Sequence, residues 1–165
     1  MEAAGAVDHD HYSDQYLRDI LRSVRVIAMV GASPHWNRPS YFVMKYLQTK
    51  GYRVVPVNPQ AAGREILGET VYADLLEVPV PIDMVDIFRR ADAAPALVDQ
   101  AIKKSAKIVW MQIGVRHDEA AAKAEAAGLN VVMNRCPKIE YSRLHGELGW
   151  SGVNTGIISS KRRRA

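Results

Sequence analysis

A glycine, two serines and an arginine follow an apolar run closely enough to form a phosphate-binding loop. Gly31 comes directly after the run, and Ser33, Arg38 and Ser40 follow it. Glycine permits a tight turn and the close approach of a ligand because it has no Cβ. A helix beginning near Pro39 presents free N–H groups, and an arginine binds phosphate bidentately. The pattern predicts a phosphate or diphosphate here, the alternative being an ordinary turn with a solvated arginine.

The same loop departs from the fingerprint of dinucleotide-binding domains. Only Gly31 matches Gly-x-Gly-x-x-Gly, because Ser33 and Trp36 occupy the other two glycine positions. The acid that usually holds a ribose hydroxyl is replaced by Asn58-Pro59. Both differences count against NAD. Arg64, in the next loop, is able to meet an additional phosphate such as that of NADP or coenzyme A, unless it is simply a surface arginine.

A single cysteine offers the other reactive group. Cys136 stands before Pro137, where a helix start and the neighbouring basic residues Arg135 and Lys138 lower a thiol pKa. It is a candidate nucleophile, although a small, partly buried structural residue is the favoured interpretation. The histidines show no metal-ligand spacing beyond one His-x-His near the start, so we expect no metal site.

These residues lie between short segments that alternate in character. Continuously apolar runs are typical of strands buried on both faces, and helical patterns with one apolar face separate them. The alternation predicts an α/β, Rossmann-like, doubly wound domain with a mainly parallel sheet of five or six strands and helices on both faces. The segment from Pro59 to Pro81 is predicted as a long loop with one short helix, with room for a small extra strand as well. The predicted strands are Val26–Val30, Val54–Val57, Met84–Phe88, Ile108–Met111 and Val131–Met133.

Composition and charge limit the classes of protein to consider. The 165-residue chain has a formal net charge of +4, and much of the excess lies in Lys161 to Arg164. We therefore expect a flexible basic tail over 151–165 and no nucleic-acid partner. No run approaches the ~20 apolar residues of a membrane helix, and no signal pattern opens the chain, so a cytoplasmic protein is expected. The rest of the chain is predicted to consist of a flexible segment over 1–12 and one domain over 13–150.

Several consecutive blocks together resemble a known family. The chain is similar to the small stand-alone coenzyme A-binding proteins, and through them to the N-terminal domain of the succinyl-CoA synthetase α subunit. The resemblance runs from about Val26 to Leu144. The blocks that carry it are Gly31-Ala32-Ser33, Arg38-Pro39-Ser40, Gly51-Tyr52, Pro56-Val57-Asn58-Pro59, Asp86-Ile87-Phe88-Arg89-Arg90, Trp110-Met111-Gln112-Ile113-Gly114 and Asn134-Arg135-Cys136-Pro137.

The resemblance implies that coenzyme A, free or acylated, lies across the carboxyl ends of the strands. Gly31 to Trp36 takes the nucleotide end, and Met111-Gln112-Ile113 is a third contact segment. The lysine that the synthetase family carries after the second strand is missing from 58–61, and Arg64 or Arg38 is the expected substitute. The predicted contact residues are Gly31, Ala32, Ser33, Trp36, Arg38, Ser40, Asn58, Pro59, Arg64, Phe88, Arg89, Met111, Gln112 and Ile113.

These patterns favour a binding module over an enzyme. The leading prediction is a non-catalytic carrier, sensor or regulatory module for coenzyme A or an acyl derivative. The alternative is an enzyme, either dependent on NADP or transferring acyl groups through Cys136. A homodimer and an enzyme partner that the protein regulates both stay open. Synthetase activity is not expected, because the family's phosphorylated histidine belongs to a second domain.

Overall fold

A parallel sheet forms the centre of the protein in the computed structural model, which describes residues 6–146. Its five strands lie in the order β2-β1-β5-β6-β7, and β3 and β4 form a separate antiparallel pair. The elements are α1 (Asp14–Ser23), β1 (Val26–Val30), α2 (Pro39–Thr49), β2 (Arg53–Val57), β3 (Glu65–Ile66), β4 (Glu69–Thr70), β5 (Met84–Ile87), α3 (Ala94–Lys103), β6 (Ile108–Met111), α4 (Asp118–Ala126), β7 (Asn130–Val132) and α5 (Pro137–Leu144).

This architecture confirms the predicted Rossmann-like α/β class, with five strands in the main sheet. All four strand pairs within that sheet are parallel. The segment from Pro59 to Pro81 differs in detail from its prediction. It contains two short 3-10 helices, Pro59–Ala61 and Leu75–Glu77, and the β3–β4 pair in place of a single helix or strand.

Alternating strand residues enter two apolar cores, one on each face of the sheet. α3 and α4 cover one core with alanines and valines. The other core lies beneath α1, α2 and α5, and Trp110 is fully buried in it. The Trp110 indole Nε1 donates to the Arg135 carbonyl oxygen at 2.9 Å, which satisfies its buried donor.

Local signals set the ends of the helices. Ser13 caps α1, since its Oγ accepts a hydrogen bond from the Tyr16 backbone N–H at 3.1 Å. α2 stops before Gly51, whose φ of +94° reverses the chain as a C-terminal glycine does. Both ends agree with the sequence pattern, because capping depends on near neighbours in the chain.

Two tyrosines cover the free edge of β7. The Tyr16 hydroxyl donates to the Val131 carbonyl oxygen at 2.8 Å, and the Tyr12 hydroxyl accepts from the Met133 N–H at 2.8 Å. These bonds occupy backbone N–H and carbonyl groups at the edge of the sheet that would otherwise be free to pair with another strand. The flexible segment predicted over 1–12 stays a prediction; of it, residues 6–12 are described, and Tyr12 makes this contact.

Two further predictions fall partly or wholly outside the described residues. The basic tail over 151–165 lies beyond residue 146, as does the last part of the domain predicted over 13–150. Within residues 6–146, no helix is long and apolar enough to cross a membrane.

Candidate functional site

The strand order reverses between β1 and β5, and the residues that follow these two strands open a crevice. The Gly31 N–H donates to the Val57 carbonyl oxygen at 2.8 Å, and the Phe88 N–H donates to the Val30 carbonyl oxygen at 2.8 Å. Ligands of doubly wound domains bind at such a reversal, outside the carboxyl ends of the strands. The fold therefore places the predicted phosphate loop where a ligand is expected.

Gly31 is the one residue at this reversal that must be glycine. Its φ is +92°, and a Cβ built on it lies 2.3 Å from the Phe88 carbonyl oxygen. Both the conformation and the close approach exclude a side chain. Glycine therefore lets the turn after β1 pack directly against the backbone that follows β5.

A cleft of about 420 Å³ opens beside this turn, between the 31–38 loop, the start of α2 and the 58–64 segment. It brings together half of the residues that the sequence singled out. It also includes Pro34, His35, Pro39, Gln60 and Ala61, which the residue-by-residue prediction missed although they are chain neighbours of predicted residues. The predicted residues lining the cleft are Gly31, Ser33, Arg38, Ser40, Asn58, Arg64 and Phe88.

Serine hydroxyls order the loop that leads into α2. The Ser40 Oγ accepts from the Ser33 N–H at 3.0 Å, and the Ser33 Oγ accepts from the His35 N–H at 3.1 Å. Arg38 stands at the N-cap of α2 and makes no side-chain capping bond. The start of α2 therefore faces the cleft without a capping side chain, which suits an anion.

Three arginines at the cleft or beside it have no carboxylate partner within residues 6–146. Arg38 and Arg64 line the cleft, and Arg89 lines the adjoining surface. Arginines elsewhere do form ion pairs; Arg53 pairs with Glu69 at 3.2 Å, for example. Three guanidinium groups without a carboxylate partner in the described chain favour a ligand with more than one phosphate.

Asn58 joins the loops that follow β1 and β2. Its Nδ2 donates to the Ala32 carbonyl oxygen at 2.8 Å, and its Oδ1 accepts from the Gln60 N–H at 2.9 Å. Both ends of the amide are thus engaged with backbone. Asn58 holds the shape of the cleft, and Ala32 contributes its carbonyl to that bond from a buried position.

Two further cavities extend the cleft along the carboxyl edge. One, of about 270 Å³, adds Pro59 and Arg89 to the wall. The other, of about 430 Å³ and called the third cavity below, is lined by Phe88, Arg89, Arg90 and the 112–115 loop, which includes the predicted Gln112 and Ile113. Phe88 lines all three cavities, so they adjoin one another along this edge, and together they are called the groove below.

Three predicted residues lie outside the walls of this groove. Ala32 is buried beneath the loop, and Met111 is buried in the core under α3 and α4, because side chains alternate along a strand. Trp36 is 72% exposed and lines none of the three cavities. For all fourteen residues, direct contact with a ligand stays a prediction.

Cys136 lies near the groove but is sealed from it. It is only 5% exposed and lines none of the three cavities. Burial raises the pKa of its thiol, although the backbone N–H of Ile139 acts in the opposite direction. A buried thiol with a raised pKa is a poor nucleophile.

A buried carboxyl group, that of Asp86, lies close to the Cys136 thiol. Asp86, on β5, is fully buried, and neither of its carboxylate oxygens has a hydrogen-bond partner among the described residues. Burial raises its pKa well above the usual value, so the neutral acid is favoured. In the described part of the chain, no three His, Cys, Asp or Glu side chains gather as metal ligands.

Known proteins are similar to this chain in sequence, and solved structures are similar to it in fold. The Bacillus subtilis (strain 168) protein YneT is 33% identical over 126 residues, covering 76% of this chain and 92% of its own length. The α subunit of an ADP-forming acetate–CoA ligase of Pyrococcus furiosus is 32% identical over 95 residues, 55% of this chain but 21% of that subunit. A solved structure of a Pyrococcus horikoshii OT3 protein has 43% identity and a TM-score of 0.78, covering 88% of this chain and all of that one.

A family model settles the relationship. The model described as a CoA binding domain matches residues 25–142, which span the whole sheet and every wall of the groove. The resemblance seen in the sequence blocks is therefore confirmed. This chain belongs to the family of CoA-binding domains.

Proposed function

We propose that this protein binds coenzyme A, free or acylated, in the groove along the carboxyl edge of the sheet. The observation that carries the proposal is the combination of an uncapped helix start with Arg38, Arg64 and Arg89, none of which is paired within residues 6–146. Coenzyme A carries a diphosphate and a 3′-phosphate, so its charge complements this groove.

The shape of the groove matches the parts of this ligand. The diphosphate lies at the turn of Gly31 and the start of α2, where Arg38 and backbone N–H groups meet it. Arg64, at the far wall, is the residue that we assign to the 3′-phosphate. The arm that ends in the thiol then passes Phe88 into the third cavity. Three joined cavities suit a long, jointed ligand better than a compact one.

Binding without chemistry is the function that the groove supports best. Among the described residues that line its three cavities, His35 is the only histidine, and neither a cysteine nor a carboxylate is present. We therefore propose a carrier, sensor or regulatory module in the cytoplasm, acting as a homodimer or on an enzyme partner. Neither NADP-dependent chemistry nor acyl transfer through the buried Cys136 has an observation in its favour.

Calorimetric titration with a set of related ligands tests this proposal. We expect coenzyme A to bind, dephospho-coenzyme A to bind more weakly because it lacks the 3′-phosphate, and 3′-phosphoadenosine 5′-diphosphate to bind more weakly because it lacks the arm. NADP serves as the competing cofactor. A protein that shows neither heat nor a thermal shift with millimolar coenzyme A, or that prefers NADP, overturns the proposal.

A further inference from the structure

Asn134, directly beyond β7, links two loops of the carboxyl edge. Its Oδ1 accepts a hydrogen bond from the Gly114 N–H at 2.7 Å. Its own N–H donates to the Val115 carbonyl oxygen at 3.0 Å. Asn134, a single residue that follows the last strand, therefore holds two consecutive residues of the loop after β6, Gly114 and Val115.

That loop forms one wall of the third cavity. Gln112, Ile113, Gly114 and Val115 all line it. The loop closes on itself through the Val115 N–H, which donates to the Gln112 carbonyl oxygen at 2.8 Å, and Gly114 has a φ of +85°. With glycine at the position that requires a positive φ, this is a type II turn, and an outside hydrogen bond to its Gly114 N–H ties it to the neighbouring loop. Asn134 supplies that outside bond.

The backbone of Asn134 is itself held in an uncommon conformation. Its φ is +58°, in the left-handed region that asparagine tolerates better than most residues. The neighbouring Arg135 guanidinium donates to the Asn134 carbonyl oxygen at 2.9 Å and to the Asp10 carbonyl oxygen at 3.1 Å. The surroundings thus hold this conformation, as is common where a residue shapes a binding site.

We propose that Asn134 is a positioning residue for the thiol-bearing arm of coenzyme A. It acts through Gly114, by fixing the wall of the third cavity, and it has no part in holding the phosphates at the far end of the groove. This inference rests on the proposed function. Asn134 is not among the contact residues that the sequence predicted, because its role depends on a neighbouring loop twenty residues earlier in the chain.

The test compares two ligands across a set of variants. Coenzyme A and 3′-phosphoadenosine 5′-diphosphate are titrated into the wild type, N134G and N134D; the ratio of the two affinities measures what the arm contributes. Glycine keeps the positive φ but removes the acceptor, whereas aspartate keeps both. S105G is the matched control, because Ser105 also has a positive φ, of 57°, and lies at the opposite edge of the sheet, before β6.

We expect N134G to lower the coenzyme A affinity by about twofold to tenfold, the value of one hydrogen bond, with the affinity for the armless nucleotide unchanged. N134D restores the ratio, and S105G leaves it at the wild-type value. An equal loss for both ligands in N134G, an unchanged ratio, or a failure of N134D to restore it overturns the inference while the proposed function stands. A wild type that binds neither ligand overturns both.

Discussion

Two helices begin in the same way at the carboxyl edge of the sheet and end up in opposite environments. Both α2 and α5 have proline in their first turn, and neither has a side-chain capping bond. At α2 the N-cap is the exposed Arg38, which faces the groove. At α5 the N-cap is the buried Cys136, whose thiol lies against the backbone N–H of Ile139 and near Asp86.

The comparison of α2 with α5 indicates that a helix start can serve as an anion site only where the fold leaves it open to solvent. α2 follows β1, next to which the strand order reverses, and the 31–38 loop and the 58–64 segment leave a cleft at the start of α2 with room for a ligand. β7 is the last strand of the sheet, and no such reversal lies beside α5. The core packs against the thiol, and the helix start is closed by protein.

Of the substitutions considered, replacement of Gly31, in the turn beside the open start of α2, should have the largest effect on stability. Gly31→Ala places a Cβ 2.3 Å from the Phe88 carbonyl oxygen, so we expect a loss of about 3 kcal/mol or more in the free energy of unfolding. Urea denaturation measures it. Gly51→Ala is the control, since Gly51 has a similar φ of +94° but its added Cβ meets no described atom within 4 Å. Equal losses in the two variants contradict the close-approach argument.

The charge at the two helix starts gives the next contrast. Arg38→Ala should weaken coenzyme A binding by about tenfold to a hundredfold, the value of a charge-assisted hydrogen bond. Lys138→Ala, in the first turn of the closed helix, should change it by less than about twofold. Titration at two salt concentrations checks both, because of these two side chains only Arg38 is expected to contact a phosphate and so to contribute to the salt dependence of binding. Similar effects of the two substitutions are incompatible with an open α2 and a closed α5.

The buried carboxyl of Asp86, near the closed start of α5, should make the stability of the protein depend on pH. Burial raises the folded-state pKa of this carboxyl well above its ordinary value of 3.8, so the folded protein retains a proton that the unfolded chain releases. Stability therefore falls as the pH rises from the unfolded pKa to the raised folded pKa, by at most about 1.4 kcal/mol per pH unit.

Asp86→Asn removes this titration, and urea denaturation at a series of pH values compares the slopes. We expect the variant to lack the decline of the wild type over that window, whatever its absolute stability. A variant with the same slope as the wild type shows that another group titrates.

The smallest effect is expected at Cys136. Cys136→Ala should leave the affinity for coenzyme A within about twofold, because the thiol lines no part of the groove. Iodoacetamide should alkylate the native thiol at least about tenfold more slowly than the same thiol in urea, since burial both covers it and raises its pKa. Rapid alkylation of the native protein, suppressed by coenzyme A, reverses the assignment of this end as closed.

Much of the fold was accessible from the chain alone. Val26–Val30 and Ile108–Met111 are apolar throughout, and this pattern marks strands covered on both faces wherever they occur. Ser13 and Gly51 act on near neighbours, so the helix ends that they set depend on the local sequence. The loop predicted to bind phosphate is local in the same way, because Gly31, Ser33 and Arg38 lie within a few residues of one another; phosphate binding itself stays a prediction.

What needed the tertiary structure involves residues distant in the chain. Met111 and Gln112 are neighbours in sequence, yet only Gln112 reaches the groove, since the pleat sends them to opposite faces of the sheet. Asn134 gained its role from Gly114 on the adjacent loop. The covering of Cys136 depends in the same way on which elements pack against it.

Periodicity and contacts a few residues apart are enough to predict which segments are strands and helices, and which turn carries the residues proposed to receive a phosphate. Which of two similar helix starts is open, and which loops line one groove, depends on the tertiary structure. That choice depends on the order of strands in the sheet, which brings together residues that no local pattern relates.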